Sequence, residues 1–187
     1  MRVLLTSAGL ETEHIKNYFE SMVDKDMALV KALFIPTAAQ DADAIGVLPK
    51  CMNDLLKCGI LNTNIKVHDL HEGMDLEELQ LYDVVYLCGG STGYLLQRIN
   101  DTGFNVTLME YIHNDGVVIG VSAGSLVFAN NLPENLGLID TKLDVHCADG
   151  EKPGKVSYPI KHNLRLTNFC ALAIRHLQDG LEIIGEQ

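Results

Sequence analysis

The sequence predicts an α/β protein: a mostly parallel sheet with helices on both faces, extended near its C-terminal end by antiparallel strands or hairpins. Three observations predict it. Short apolar runs alternate with amphipathic stretches of helical spacing up to Ala129, which is the order of repeated β-α units. Two of those runs end in small-residue turns, Cys88-Gly89-Gly90 and Gly120-Val121-Ser122-Ala123-Gly124. After Ala129 the runs become shorter and are punctuated by Gly, Pro and Asn, as hairpins are.

The elements follow in order. Residues 3–6 are an apolar strand. Residues 11–23 carry Ile15, Tyr18, Phe19 and Met22 at helical spacing. Residues 32–36 (Ala-Leu-Phe-Ile-Pro) form a buried strand. Residues 43–58 form a helix with Leu48, Met52, Leu55 and Leu56 on one face, and Gly59 stops it. Residues 65–69 are a third strand, 76–79 a short helix, and 83–88 a fourth strand ending at Gly89-Gly90. Residues 92–99 and 106–113 are helical, and 117–121 form the fifth strand. Beyond Ala129, residues 143–146, 156–160, 164–166, 170–174 and 181–184 read as strands added at the sheet edge.

With 187 residues the chain fits one domain, 1–187, and no linker or repeat divides it. A formal net charge of -11 argues against nucleic acid and against anionic membranes, both of which call for Lys and Arg. The N-terminus opens directly into a strand, so no secretory signal is expected, and no apolar stretch is long enough to cross a bilayer. The five cysteines are odd in number and form no C-x-x-C pair; free thiols and a cytoplasmic location are the expectation. A homo-oligomer is allowed by this composition.

The pentapeptide 120–124 follows the apolar run Gly116-Val117-Val118-Ile119 and precedes a helix start. Strand, Gly-x-Ser-x-Gly and helix together make the setting of a nucleophile elbow, where a strained turn exposes the serine hydroxyl. The following helix points N–H groups at the same spot, which suits a reaction that develops negative charge on oxygen. A plain strand-to-helix turn is the alternative. A nucleophilic serine needs a base, and seven histidines are available. His14 and His113 lie on predicted helices away from the crevice, His68 and His71 surround the end of a strand in the other half of the sheet, and His162 and His176 sit in the terminal hairpins. His146 ends the first strand after the elbow and can return to Ser122; a structural histidine is the competing reading. Gly89-Gly90-Ser91-Thr92-Gly93 can bind an anion or supply one oxyanion donor, or be a capped turn. It matches neither a Walker loop nor a full dinucleotide fingerprint. His146, Cys147 and Asp149 lack zinc-site spacing, and Cys88 reads as a buried small residue.

Taken together, Val3-Leu4-Leu5-Thr6-Ser7, Phe34-Ile35-Pro36, Cys88-Gly89-Gly90-Ser91-Thr92, the 120–124 elbow, Gly137-Leu138-Ile139-Asp140 and the strand ending at His146 resemble the dipeptidase E and cyanophycinase family of serine peptidases, whose fold is similar to class I glutamine amidotransferases. The resemblance implies Ser122 as nucleophile, His146 as general base and then acid, and the backbone N–H groups of Gly90 and Ala123 as the oxyanion hole. It implies a short peptide substrate and neither metal nor organic cofactor. The family's acidic triad member falls where this chain has Asn131, in Asn130-Asn131-Leu132-Pro133, while Glu134 lies three residues on. Either Asn131 or Glu134 is therefore the expected partner of His146. The stretch between elbow and histidine is short and lacks an arginine for an acidic substrate side chain. A dipeptidase-type enzyme is the leading expectation. A catalytically weak homologue that binds a small peptide or amino acid, or an esterase on the same elbow, are the alternatives.

Overall fold

The computed structural model describes residues 1–178 and 180–186. Among them the chain runs through β1 (Arg2–Thr6), α1 (Glu13–Met22), β2 (Ala32–Ile35), α2 (Ala42–Lys57), β3 (Ile65–Val67), α3 (Leu76–Leu79), β4 (Val84–Leu87), α4 (Thr92–Asp101), α5 (Phe104–His113), β5 (Val117–Val121) and α6 (Ala123–Leu126). It then continues through β6 (Leu143–Asp144), β7 (Gly154–Lys155), β8 (Leu164–Arg165), β9 (Cys170–Ile174) and β10 (Leu181–Gly185).

Helix starts are set by polar caps. The side chains of Thr12, Asp41, Asp75 and Ser91 accept from the backbone N–H groups of Ile15, Ala44, Glu78 and Tyr94. This is why α1 begins at Glu13, two residues later than helical spacing alone places it. Conversely α5 begins at Phe104, earlier than expected, because Gly103 takes a left-handed φ of 72° and turns the chain directly from α4 into α5.

Eight strands form one sheet in the order β3-β2-β4-β5-β1-β9-β10-β7. The first five are mutually parallel; β9, β10 and β7 extend the sheet antiparallel beyond β1. The register pairs Thr6 with Val121 and Leu87 with Gly120, so the carboxyl ends of β1, β4 and β5 lie side by side. Two C-terminal details differ from the sequence expectation. β6 and β8 pair parallel in a separate two-stranded sheet, Leu143 with Leu164, because the chain between them leaves to lay β7 against β10 and returns in the same direction. The strand expected at 156–160 sits instead at Gly154–Lys155; Pro159 has no N–H to give a ladder, and Ser157, Tyr158 and Pro159 are exposed.

Strand alternation splits the core into two layers. Val3, Leu5, Leu33, Ile35, Val85, Leu87 and Val118 face α3, α4 and α5 through Leu79, Leu95, Ile99, Phe104, Leu108 and Ile112. Leu4, Ala32, Phe34, Val84, Tyr86, Val117 and Ile119 face α1 and α2 through Ile15, Phe19, Met22, Cys51 and Leu55. Helices on both faces leave the carboxyl edge of the parallel strands as the open crevice.

One carboxylate lies within the second layer. Asp54 Oδ2 accepts from Tyr86 Oη (2.8 Å) and from Leu10 N (3.0 Å), beside the Lys50–Glu11 ion pair. Burial pushes its carboxyl above the ordinary range, with nearby Glu11 adding to the rise; the Leu10 and Tyr86 hydrogen bonds and Lys50 oppose it. The folded protein thus holds this proton more tightly than the unfolded chain. Stability from this group is fully present below the unfolded value, about pH 4, and is lost as pH rises through the folded value. Asp54→Asn lacks the titration. The stability of wild type relative to the variant should therefore decline as pH is raised from about 4 and then level off. Paired thermal melts at stepped pH check this, and a pH-independent difference would refute it.

Candidate active site

The site is built at the end of β5, every residue of which is buried. Directly after it Ser122 adopts φ 50° and ψ -110°, a conformation costing on the order of 1–3 kcal/mol that surrounding structure must impose. The constraint is visible. A Cβ at Gly120 would overlap the Gly124 carbonyl, and a Cβ at Gly124 would overlap the Leu87 carbonyl, so both flanks of the serine approach backbone too closely for any side chain. The end of β1 supplies the rest. Thr6 O accepts from Ser122 N (3.0 Å) and from Ser125 Oγ (2.8 Å), while Thr6 Oγ1 donates to Gly120 O (3.0 Å).

His146 lies two residues beyond β6, with a left-handed φ of 56°. Its Nε2 is 2.9 Å from Ser122 Oγ. Its Nδ1 is 2.7 Å from Asn168 Oδ1, and its backbone N–H donates to Ser7 Oγ at 2.7 Å. Ser7 Oγ in turn donates to the same Asn168 oxygen at 3.2 Å. An amide oxygen only accepts, so Nδ1 carries the hydrogen and Nε2 is left bare to accept from the serine hydroxyl. That is the tautomer a general base requires.

The backbone N–H groups of Gly90 and Ala123 have no hydrogen-bond partner among the described residues. Gly90, with φ 138°, has its Cα against the Ala38 carbonyl, and Gly89 abuts Ser122: a Cβ there would lie 3.2 Å from the serine Cβ. The Gly-Gly turn thus brings bare backbone beside Ser122.

The structure does not bring Asn131 or Glu134 to the imidazole. Asn131 is occupied elsewhere: its Nδ2 donates to Leu143 O (2.8 Å) and its Oδ1 accepts from Leu143 N (3.0 Å), imitating a strand partner for β6. Glu134 is exposed in a left-handed turn, and its backbone carbonyl accepts from Asn100 Nδ2 at 3.1 Å. Asn168, in the turn before β9, is the side chain that meets the imidazole instead. Ser7 closes the Val3-Leu4-Leu5-Thr6-Ser7 segment that carries the resemblance, but nothing in the sequence gives it a role, and Asn168 is one more turn residue.

A cavity of about 510 Å³ opens over these groups. Ser7, Gly89, Gly90, Ser122, His146 and Asn168 line one side, and the first half of α2 lines the other. That helical wall brings Val47 with Asp43 and Lys50 to the rim; Lys50 is held by Glu11, whose hydrogen bond raises the ammonium above its ordinary value. Cys88 is fully buried, and burial pushes its thiol far above the ordinary range, so it packs rather than reacts. Among the described residues no group of three His, Cys, Asp or Glu side chains could hold a metal ion, and no helix is long and apolar enough to cross a membrane.

Comparison with known proteins gives one consistent result. The sequence profile of peptidase family S51 matches residues 3–141. An uncharacterized peptidase of Listeria innocua is 30% identical over 142 residues, covering 74% of this chain and 61% of its own length. One from Listeria monocytogenes is 28% identical over 136 residues, covering 73% and 66%. The chain therefore spans less than two thirds of the length of these curated relatives. A crystal structure from Listeria monocytogenes described as a peptidase E superposes with a TM-score of 0.71 at 20% identity, covering 100% of this chain and 98% of the other. A peptidase from an acI-B1 Actinobacterium gives 0.66 at 16%, covering 99% and 87%. At such identities the two structures establish the fold.

Proposed function

The chain belongs to peptidase family S51, the family of dipeptidase E, and from that premise we propose that it is a serine-type peptidase that cleaves short peptides through an acyl-enzyme on Ser122. Ser122 Oγ attacks the peptide carbonyl carbon while His146 Nε2 takes its proton. The N–H groups of Gly90 and Ala123 hold the oxyanion of the tetrahedral intermediate. As the C–N bond breaks, the imidazolium returns the proton to the leaving amine. Water then attacks the acyl carbon, giving its proton to His146, and collapse of the second intermediate frees the acid and reprotonates Ser122.

The observation that carries this reading is the 2.9 Å contact between Ser122 Oγ and His146 Nε2 at a strained elbow, with the far ring nitrogen held by an acceptor. The cavity volume lies within the range of small-ligand sites and accommodates a short peptide rather than a folded chain. A neutral amide behind the histidine supplies orientation but no charge, which favours slow turnover, and for that reason a weakly catalytic peptide binder is the second reading. A fluorophosphonate probe separates the two. The active serine should add one phosphonyl group at Ser122, located by peptide mass spectrometry; an unmodified serine after prolonged exposure at neutral pH would eliminate the enzyme reading.

A further inference from the structure

We propose that Ser7 is a positioning residue that fixes the orientation of the Asn168 amide and, through it, the His146 tautomer required for proton transfer. The inference rests on the reading of Ser122 and His146 as nucleophile and base, and adds a residue that the family resemblance does not assign.

The argument begins with what an amide cannot do. A carboxylate presents an acceptor to the ring whichever way it is turned. The two ends of an asparagine are nearly the same size but opposite in function, since one only accepts and the other only donates. Turned by half a revolution, Asn168 would offer Nδ2–H to His146 Nδ1. The ring would then carry its hydrogen on Nε2 and point it at Ser122, leaving no base for the hydroxyl. With a neutral third member, something must hold the amide in the productive sense.

Ser7 is placed to do this. It is fully buried at the carboxyl end of β1. Its oxygen already accepts the His146 backbone N–H at 2.7 Å, so its own hydrogen is free to donate to Asn168 Oδ1 at 3.2 Å. Asn168 Oδ1 therefore receives two donors, Ser7 Oγ–H and His146 Nδ1–H. Reversing the amide would turn Nδ2–H toward both groups. Ser7 Oγ, already accepting the His146 N–H, could accept this second bond, but its own hydrogen would lose the Asn168 acceptor in a fully buried position, which costs free energy and disfavours the reversed sense. The Ser7–His146 bond also supports the left-handed backbone at His146. The neighbouring residue, Thr6, holds the Ser122 backbone. Two consecutive residues at one strand end thus hold the nucleophile and the base.

The test combines ring-nitrogen NMR of labelled histidine with kinetics. In the wild type His146 should show a protonated Nδ1 and a bare Nε2. Ser7→Ala should populate the Nε2–H form and lower kcat on the order of tenfold with KM little changed. In an Asn168→Asp background the same substitution should cost clearly less, because either carboxylate oxygen accepts from the ring. A wild-type tautomer in Ser7→Ala, or an equal kcat loss in both backgrounds, would overturn the proposal. Should Ser7→Ala fail to fold, the wild-type spectrum still decides, since a dominant Nε2–H form contradicts the proposed brace. If the wild type takes no fluorophosphonate, the peptidase reading fails while the ring spectra continue to judge Ser7.

Discussion

Ser122→Ala should bring peptide hydrolysis down to background, a fall on the order of 10³-fold or more, while the protein remains folded. Among the described residues that line the cavity, the serine oxygen is the hydroxyl that has an imidazole nitrogen 2.9 Å from it. Removing it leaves the Gly90 and Ala123 N–H groups and the walls of the cavity in place. Substrate affinity should therefore outlast turnover. The structural cost is small, because the hydroxyl is partly exposed and, among the described residues, its hydrogen-bond contact is with an exposed imidazole. The backbone bonds that impose the elbow, Ser122 N to Thr6 O and Thr6 Oγ1 to Gly120 O, do not involve it. Stability should stay within about 1 kcal/mol of wild type by urea unfolding. Retention of hydrolysis in a folded Ser122→Ala protein would show that the nucleophile lies elsewhere. Loss of folding would show that the hydroxyl supports the turn.

The elbow and the parallel half of the sheet were readable because each is encoded locally. Four apolar strands that pack on both faces stand out as uninterrupted runs, and a turn too tight for a side chain must be written in glycine. Ser122 and His146 share this advantage, the first through the turn and the second through the short run 143–146 that follows it, although β6 itself stops at Asp144 and His146 lies two residues beyond. What lies behind the histidine is encoded differently. Asn168 reaches the ring from the turn before β9, 22 residues from His146, only because β9 pairs antiparallel with β1. No periodicity marks such a residue, and its side chain carries no charge. Asn131 misled for the complementary reason. It occupies the position at which the family resemblance calls for an acid, yet its amide has both a donor and an acceptor to satisfy, and the Leu143 backbone satisfies both. In that role it fixes β6 and so helps to place His146, three residues beyond Leu143.

Replacement of Asn168 should accordingly move activity in two directions. Asn168→Leu removes the acceptor for Nδ1, leaves the tautomer unfixed, and should lower kcat by roughly 10²–10⁴, the range set by loss of an orienting group in serine peptidases. Asn168→Asp keeps the acceptor and adds the charge that stabilises the imidazolium formed during acyl transfer. The gain should be nearer tenfold than 10⁴, because the amide oxygen already selects the productive tautomer and an exposed carboxylate is screened by water. Asn131→Asp, the change that the family position alone recommends, should accelerate nothing. It deletes the Nδ2–H donor to a fully buried residue and sets a carboxylate oxygen against the Leu143 carbonyl, costing roughly 1–3 kcal/mol. Steady-state rates and urea midpoints for the three variants decide the matter together. A rate gain in Asn131→Asp with none in Asn168→Asp would return the third position to Asn131. A destabilised but no faster Asn131→Asp, beside a crippled Asn168→Leu, would place it at Asn168.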